Sequence, residues 1–166
     1  MGPIQHKALI NVDLGEGFGN WTITSDEDLL PFIDHANIAC GFHASDPLIM
    51  MEAVRSCKEH GVKIGAHPGV PDLQGFGRYE MKLSQDELTA ITIYQIGALK
   101  GFLDREEVLL HHVKPHGSLY EMCCRDYETS MAVFKAIPKG VKFVAEFYAD
   151  VKYNADASLL VERKKK

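Results

Sequence analysis

Apolar positions along the chain fall into short compact runs separated by stretches with helical periodicity. KALINVD (7–13) is such a run and predicts a buried strand, and HANIACG (35–41) predicts a second. Asp46-Pro47 then opens a helix, with Asp as N-cap and Pro at the first helical position. Its apolar face reads Met50, Ala53, Val54, Cys57, the i, i+3, i+4, i+7 spacing, and Gly61 closes it. VKIGA (62–66) predicts a third strand, followed by a long loop, HPGVPDLQGFGRYEM (67–81). Ser84 and Glu87 have capping-box spacing for a helix running to Leu103. Leu88, Ile91, Ala98 and Phe102 mark its buried stripe, with Gln95 in line. EVLLHHV (107–113) predicts a fourth strand and 126–137 a further helix. After Pro138-Lys139-Gly140, VKFVAEFY (141–148) predicts a fifth strand.

Strand and helix thus alternate four or five times, the pattern of a parallel α/β architecture, either barrel or doubly wound. At 166 residues the chain reads as one domain, 1–166, with no internal repeat and no linker. Net charge is −5, and the only basic cluster is the terminal Arg163–Lys166, so nucleic acid is excluded as the expected partner. No run approaches the ~18 apolar residues of a membrane span. The opening MGPIQHKAL lacks the apolar core of a signal peptide, so a cytoplasmic protein is expected. Cys40, Cys57, Cys123 and Cys124 form no C-x-x-C pair and read as reduced thiols.

Candidate chemistry collects where the strands end. Asp13 and Glu16 follow the first, Gly41 and His43 the second, His67 the third, and Lys114 and His116 the fourth. In a parallel α/β fold these ends share one face, where ligands bind. Two carboxylates, three histidines and a lysine are therefore expected in one pocket. The glycines at 15, 17 and 19 are expected to let substrate or phosphate reach the backbone beside Asp13. Asp46 reads as a helix cap. Of His111 and His112, alternation sends one side chain inward and one outward, and neither is assigned to catalysis. The glycine triplet is no dinucleotide fingerprint and no P-loop occurs, so a nucleotide would need another surface or another subunit.

NVDLGEGFG, ANIACGFHASDP, GAHPGVPDLQGFGRYEM, YQIGAL and HVKPHGSLY, in that order, resemble the LamB/YcsF family, from Leu9 to Tyr120, and the likeness resumes at AEFYADVKYNADASLL. The resemblance implies an irregular (β/α) barrel of the glycoside hydrolase/deacetylase type. It implies ATP-dependent opening of 5-oxo-L-proline to L-glutamate as one subunit of a 5-oxoprolinase, with subunits B and C as partners. The family's strand-end motifs fall on Asp13, Glu16, His43, His67, Lys114 and His116, as catalytic candidates. Gln74 and Arg78 join Gly41 as expected substrate contacts.

Against the family pattern, the chain is expected to lack an internal segment near 137–142 and the C-terminal part of the barrel. Members run to about 250 residues, the usual barrel size. A divalent metal, held by Asp13, His43 and His67, is a further expectation, since one Asp and two His make a sound ligand set. Two other functions compete: a metal-dependent amide or deacetylase-type hydrolase without ATP, and an inactive shortened homologue acting as a binding partner.

Overall fold

Strand β1, Asn11–Leu14, ends in a loop that returns through a short helix α1, Asp26–Leu29, to β2, His35–Ala39. Helix α2, Pro47–Glu59, leads to β3, Lys63–His67, and helix α3, Gln85–Arg105, to β4, His112–Val113. Two helices follow, α4 (Gly117–Arg125) and α5 (Tyr127–Lys135), then β5, Lys142–Val144, and a two-residue β6, Leu159–Leu160. The computed structural model describes residues 9–144 and 159–160. Residues 145–148 of the expected fifth strand, and 7 and 8 of the first, lie outside them.

All strand pairs are parallel and the spatial order is the sequence order, β1-β2-β3-β4-β5-β6. A doubly wound sheet reverses direction and covers both faces with helices. Here every crossover steps the same way, and crossovers of one hand put the helices on one side. A (β/α) barrel wall winds in the same way. Alternation then divides the sheet. Leu14, Ile38, Ile64, Ala66 and Val113 face the helices and are buried with Met50, Val54 and Cys57 of α2 and Ile96, Leu99 and Leu103 of α3. Each large side chain so buried contributes about 1.5–3 kcal/mol. A smaller cluster under α4 and α5 gathers Leu119, Cys123, Val133 and Phe143.

Local signals place most elements. The Asp46 carboxylate accepts from the Leu48 and Ile49 amides at 2.8 and 3.0 Å, and the Ser84–Glu87 capping box is complete. The buried stripe of α3 is Leu88, Thr92, Gln95, Ile96, Leu99 and Leu103, so the expected Ile91, Ala98 and Phe102 lie on its half-buried flank.

Two expectations are corrected. The fourth strand is two residues long. Val108 N–H donates to the Leu103 carbonyl at 2.9 Å, and Glu107 takes φ 57°, so 106–108 finish α3 instead of extending the sheet. The helical stretch near 126–137 begins earlier, as two helices. Asp126 leaves helical geometry, ends α4, and caps α5 through the Thr129 amide at 2.8 Å. Gly117 at the first position of α4 hid that helix. The four cysteines are buried thiols. Among the described residues no helix is long and apolar enough to cross a membrane.

Candidate active site

The face of the sheet turned away from the helices is polar. Register aligns Asp13 with Asn37, Asn37 with Gly65, and Gly65 with His112. At the C-terminal ends of the same strands sit Asp13, His67 and Lys114, and loops add Glu16, His43 and His116. All six expected catalytic candidates meet there.

Lys114 Nζ donates to Asp13 Oδ1 at 2.7 Å, and Asn37 Nδ2 donates to the same oxygen at 2.7 Å. Asp13 Oδ2 lies 3.3 Å from His67 Nε2. Glu16 Oε1 lies 3.1 Å from His43 Nε2, 3.3 Å from His116 Nδ1 and 3.9 Å from His67 Nε2. His67 Nε2 and His116 Nδ1 are 2.9 Å apart. The His43 and His116 rings stack in parallel with centroids 3.7 Å apart. His43, His67 and His116 are all at most 2% exposed, whereas the Asp13 side chain keeps 32% of its surface and forms the open side of the site.

The two carboxylates are pushed apart. Burial alone would raise Asp13, but His67 and the Lys114 ammonium together hold it well below the usual carboxylate range. Burial raises Glu16, only partly offset by His67 and His116. Burial, with the neighbouring His67 ring, pushes His43 down to about 3, and burial with His43 and His67 pushes His116 down to about 3. Both imidazoles are therefore neutral at physiological pH.

The loop 67–81 forms the back wall. Gln95, fully buried on α3, accepts from the Gly69 amide and donates to the Gly69 carbonyl, each at 2.9 Å, which fixes where the loop leaves β3. Further along, Phe76 presents its carbonyl to His116 Nε2–H at 2.8 Å. Gly77 then passes at φ 62°, where a Cβ would sit 2.8 Å from His43 Cβ and 3.0 Å from His116 Cδ2. Glycine is required there by both conformation and space.

Three expectations are redrawn. Gly15, Gly17 and Gly19 do not form a cradle: the Gly15 and Gly19 amides donate to Asp26 and Asp46 at 2.7 and 2.8 Å, and a Cβ at Gly17 would meet the Trp21 carbonyl at 2.8 Å. These glycines serve the turn and its carboxylate caps. The donor atoms that lie within 4.8 Å of one another belong to Glu16, His43, His67 and His116, in place of the trio Asp13, His43 and His67. Of the expected substrate contacts, Gln74 and Arg78 are exposed on the back-wall loop, with the Arg78 guanidinium 6.0 Å from the Phe76 ring centre. Gly41 turns the chain at φ 90° toward His43.

Behind these groups lies a supporting layer that sequence reasoning missed. Asn37 donates to Asp13 and to Asn11, and accepts from Asn11 Nδ2 at 3.1 Å and from His112 Nε2–H at 2.6 Å. A signal for it exists: in INVD and HANIA every second residue is polar, Asn11 and Asp13, His35 and Asn37.

The sequence profile of the LamB/YcsF family matches residues 9–139. The chain is 61% identical over 185 aligned positions to the lactam utilization protein lamB of Emericella nidulans, covering all of this chain and 73% of that protein. It is 44% identical over 176 positions to the 5-oxoprolinase A subunit of Bacillus licheniformis, covering 93% of this chain and 70% of that one. The crystal structure of the lactam utilization protein from Thermus thermophilus superposes with a TM-score of 0.82 at 47% identity, over 87% of this chain and 59% of that one. The chain thus spans a little under three-quarters of those two curated relatives and about three-fifths of the solved structure.

Proposed function

The chain belongs to the LamB/YcsF family, and on that premise we propose that it takes part in the hydrolytic opening of a lactam: the ATP-coupled conversion of 5-oxo-L-proline to L-glutamate, in the cytoplasm, with partner subunits B and C. One observation carries the reading. An ionised carboxylate, Asp13, paired with an ammonium, Lys114, faces the open side of a water-poor histidine pocket at the strand ends.

A five-membered lactam is a resonance-stabilised amide, so its carbonyl must be activated. Transfer of a phosphoryl group from ATP to the carbonyl oxygen does this. Water then adds to the carbon, the C–N bond breaks, and the ring nitrogen takes a proton. An acyl phosphate remains, and a second water releases it as carboxylate and phosphate. Asp13 accepts the proton of the attacking water and passes it to the departing nitrogen. Lys114 offsets negative charge as it develops on oxygen. When Lys114 turns toward that oxygen, Asp13 loses a partner and becomes a stronger base at the moment it is needed.

Glu16, His43, His67 and His116 hold the wall behind the reacting carbon. The remaining N–H of neutral His116 is committed to the Phe76 carbonyl, so this residue suits binding better than proton donation. Arg78, exposed on the loop, supplies positive charge for a phosphate, and Gly41 and Gln74 border the entry. ATP is held with the partner subunits, since the chain carries no P-loop.

The test is turnover of 5-oxoproline with and without ATP, in the presence of subunits B and C. Glutamate and phosphate formed in equal amounts, only with ATP, support the reading. Ring opening without ATP assigns the chain to the ATP-independent amide hydrolases instead. No turnover in the complete mixture rejects the role in lactam opening.

A further inference from the structure

We propose that Glu16, His43, His67 and His116 form a binding site for one divalent transition-metal ion of the zinc type. A backbone carbonyl only accepts hydrogen bonds, and the Lys114 carbonyl lies 2.6 Å from His67 Nδ1, so Nδ1 carries the hydrogen. The Phe76 carbonyl lies 2.8 Å from His116 Nε2, so there Nε2 carries it. With one hydrogen per ring, both already given to carbonyls, His67 Nε2 and His116 Nδ1 would point bare lone pairs at each other across 2.9 Å. Two acceptors do not rest at that distance unless something positive lies between them.

A shared proton would reconcile that pair alone. It leaves the Glu16 carboxylate oxygen 3.3 Å from His116 Nδ1 and 3.9 Å from His67 Nε2, turned toward the same two lone pairs. It also leaves His43, 1% exposed, with Nε2 3.1 Å from that oxygen. A cation engages all four groups once the His43 ring tilts out of its parallel stack on His116. A tetrahedral ion about 2.0–2.1 Å from each ligand separates the ligand atoms by about 3.3 Å. The separations of 2.9, 3.1, 3.3 and 3.9 Å bracket that value, and all four atoms lie within 4.8 Å of one another.

The donor set sets the metal class. Three imidazoles and one carboxylate suit a borderline ion, whereas magnesium and calcium favour all-oxygen sites. The carbonyls of Lys114 and Phe76 are the outer partners that ligating histidines use to fix ring and tautomer. Asp13 borders the cage: its Oδ1 is held by Lys114 and Asn37, and its Oδ2 lies 3.3 Å from His67 Nε2 but is not among the four atoms that cluster within 4.8 Å. A bound ion would supply a Lewis acid beside Asp13. The site does not depend on the lactam reading, since the cage is defined without a substrate.

The experiment uses the full chain, stripped with a chelator and titrated with Co2+ and Zn2+. Expected are one ion per chain by calorimetry, intense visible Co2+ bands of a four-coordinate site, displacement by Zn2+, and a raised Tm. Glu16→Gln and His116→Ala are each expected to weaken binding at least ~10-fold, the scale on which lost metal-site partners act, with circular dichroism confirming the fold. Glu16 lies in a loop, so its variant remains informative if the His116 variant fails to fold. Asp13→Asn keeps the stoichiometry and the spectrum. Absence of saturable binding, an octahedral Co2+ spectrum, or unchanged affinity in Glu16→Gln overturns the proposal. Failure of lactam turnover with a normal Co2+ spectrum would reject the substrate and leave the metal site standing.

Discussion

The open face of the sheet carries two tiers of histidines, and their protons close differently. In the lower tier, toward the strand N-termini, donors and acceptors alternate along one chain. Lys142 Nζ donates to His111 Nε2 at 3.2 Å, His111 Nδ1–H to His112 Nδ1 at 3.0 Å, and His112 Nε2–H to Asn37 Oδ1 at 2.6 Å. Asn37 then donates to Asp13 at 2.7 Å. In the upper tier, at the strand C-termini, a backbone carbonyl takes the outer N–H of His67 and of His116, their other ring nitrogens meet at 2.9 Å, and among the described residues His43 Nδ1 has no partner. The lower tier has asparagines where the upper has carboxylates. A network whose every group is satisfied holds position. One that leaves groups facing a common point is shaped for something that arrives there.

The largest break between the tiers is expected at Asp13. Asp13→Asn keeps the shape and the bond to Lys114 but removes the proton acceptor. Turnover of 5-oxoproline is expected to fall about 10²–10⁴-fold with little change in Tm. An enzyme that retained more than a tenth of its rate would take the base role away from Asp13.

Next in size is Asn37, the joint between tiers. Asn37→Leu leaves Asp13, Asn11 and His112 short of a partner inside the sheet face. Urea unfolding should show a loss of about 1–3 kcal/mol. Because Asp13 is then held only by Lys114 and His67, turnover falls as well, through kcat more than KM. A stability loss with unchanged kcat would make Asn37 purely structural.

The sequence made the upper tier legible and the lower tier almost invisible, for a physical reason. Residues at strand ends stand beside Gly and Pro, and aspartate, histidine and lysine in such places have few structural reasons to be there. Asn37 and His112 lie inside strands, where a polar residue is read as an interruption of an apolar run. The fold was legible where period and cap agree, as in α2 with Asp46, Met50, Val54 and Cys57. It was obscured at α4, whose first residue is the poor helix former Gly117 and whose stabilisation comes from packing Leu119 and Cys123 against α5 and Phe143. The pocket's contents were readable; that Glu16, and not Asp13, completes the histidine cluster required the Lys114–Asp13–Asn37 contacts, which join strands distant in sequence.

A smaller effect separates the tiers by pH. Burial, reinforced by His111, pushes His112 down to about 3 from 6.5. The unfolded chain therefore binds a proton at higher pH than the folded one does. Between pH 6.5 and about 3 the unfolded state holds more protons, so stability falls as pH is lowered through that window and is fully present above it. His112→Asn removes this contribution, and the urea midpoint plotted against pH should descend less steeply than in the parent chain. Equal slopes would show that His112 is protonated equally in both states.

The smallest expected effect tests whether the two tiers act as one path. His111 heads the lower chain, is half-buried, and reaches Asp13 only through His112 and Asn37. If the lower tier only positions Asp13, then His111→Gln disturbs the bonds of His111 to Lys142 and His112 at a place water can reach. Stability should drop by about 0.5–1.5 kcal/mol. Turnover should stay within a factor of two or three, because His112 still donates to Asn37 from the same side. If protons instead travel through the lower tier to Asp13, breaking the chain at its head should slow turnover nearly as much as Asp13→Asn does. Measuring kcat for both variants in the same assembled enzyme decides between a scaffold and a wire.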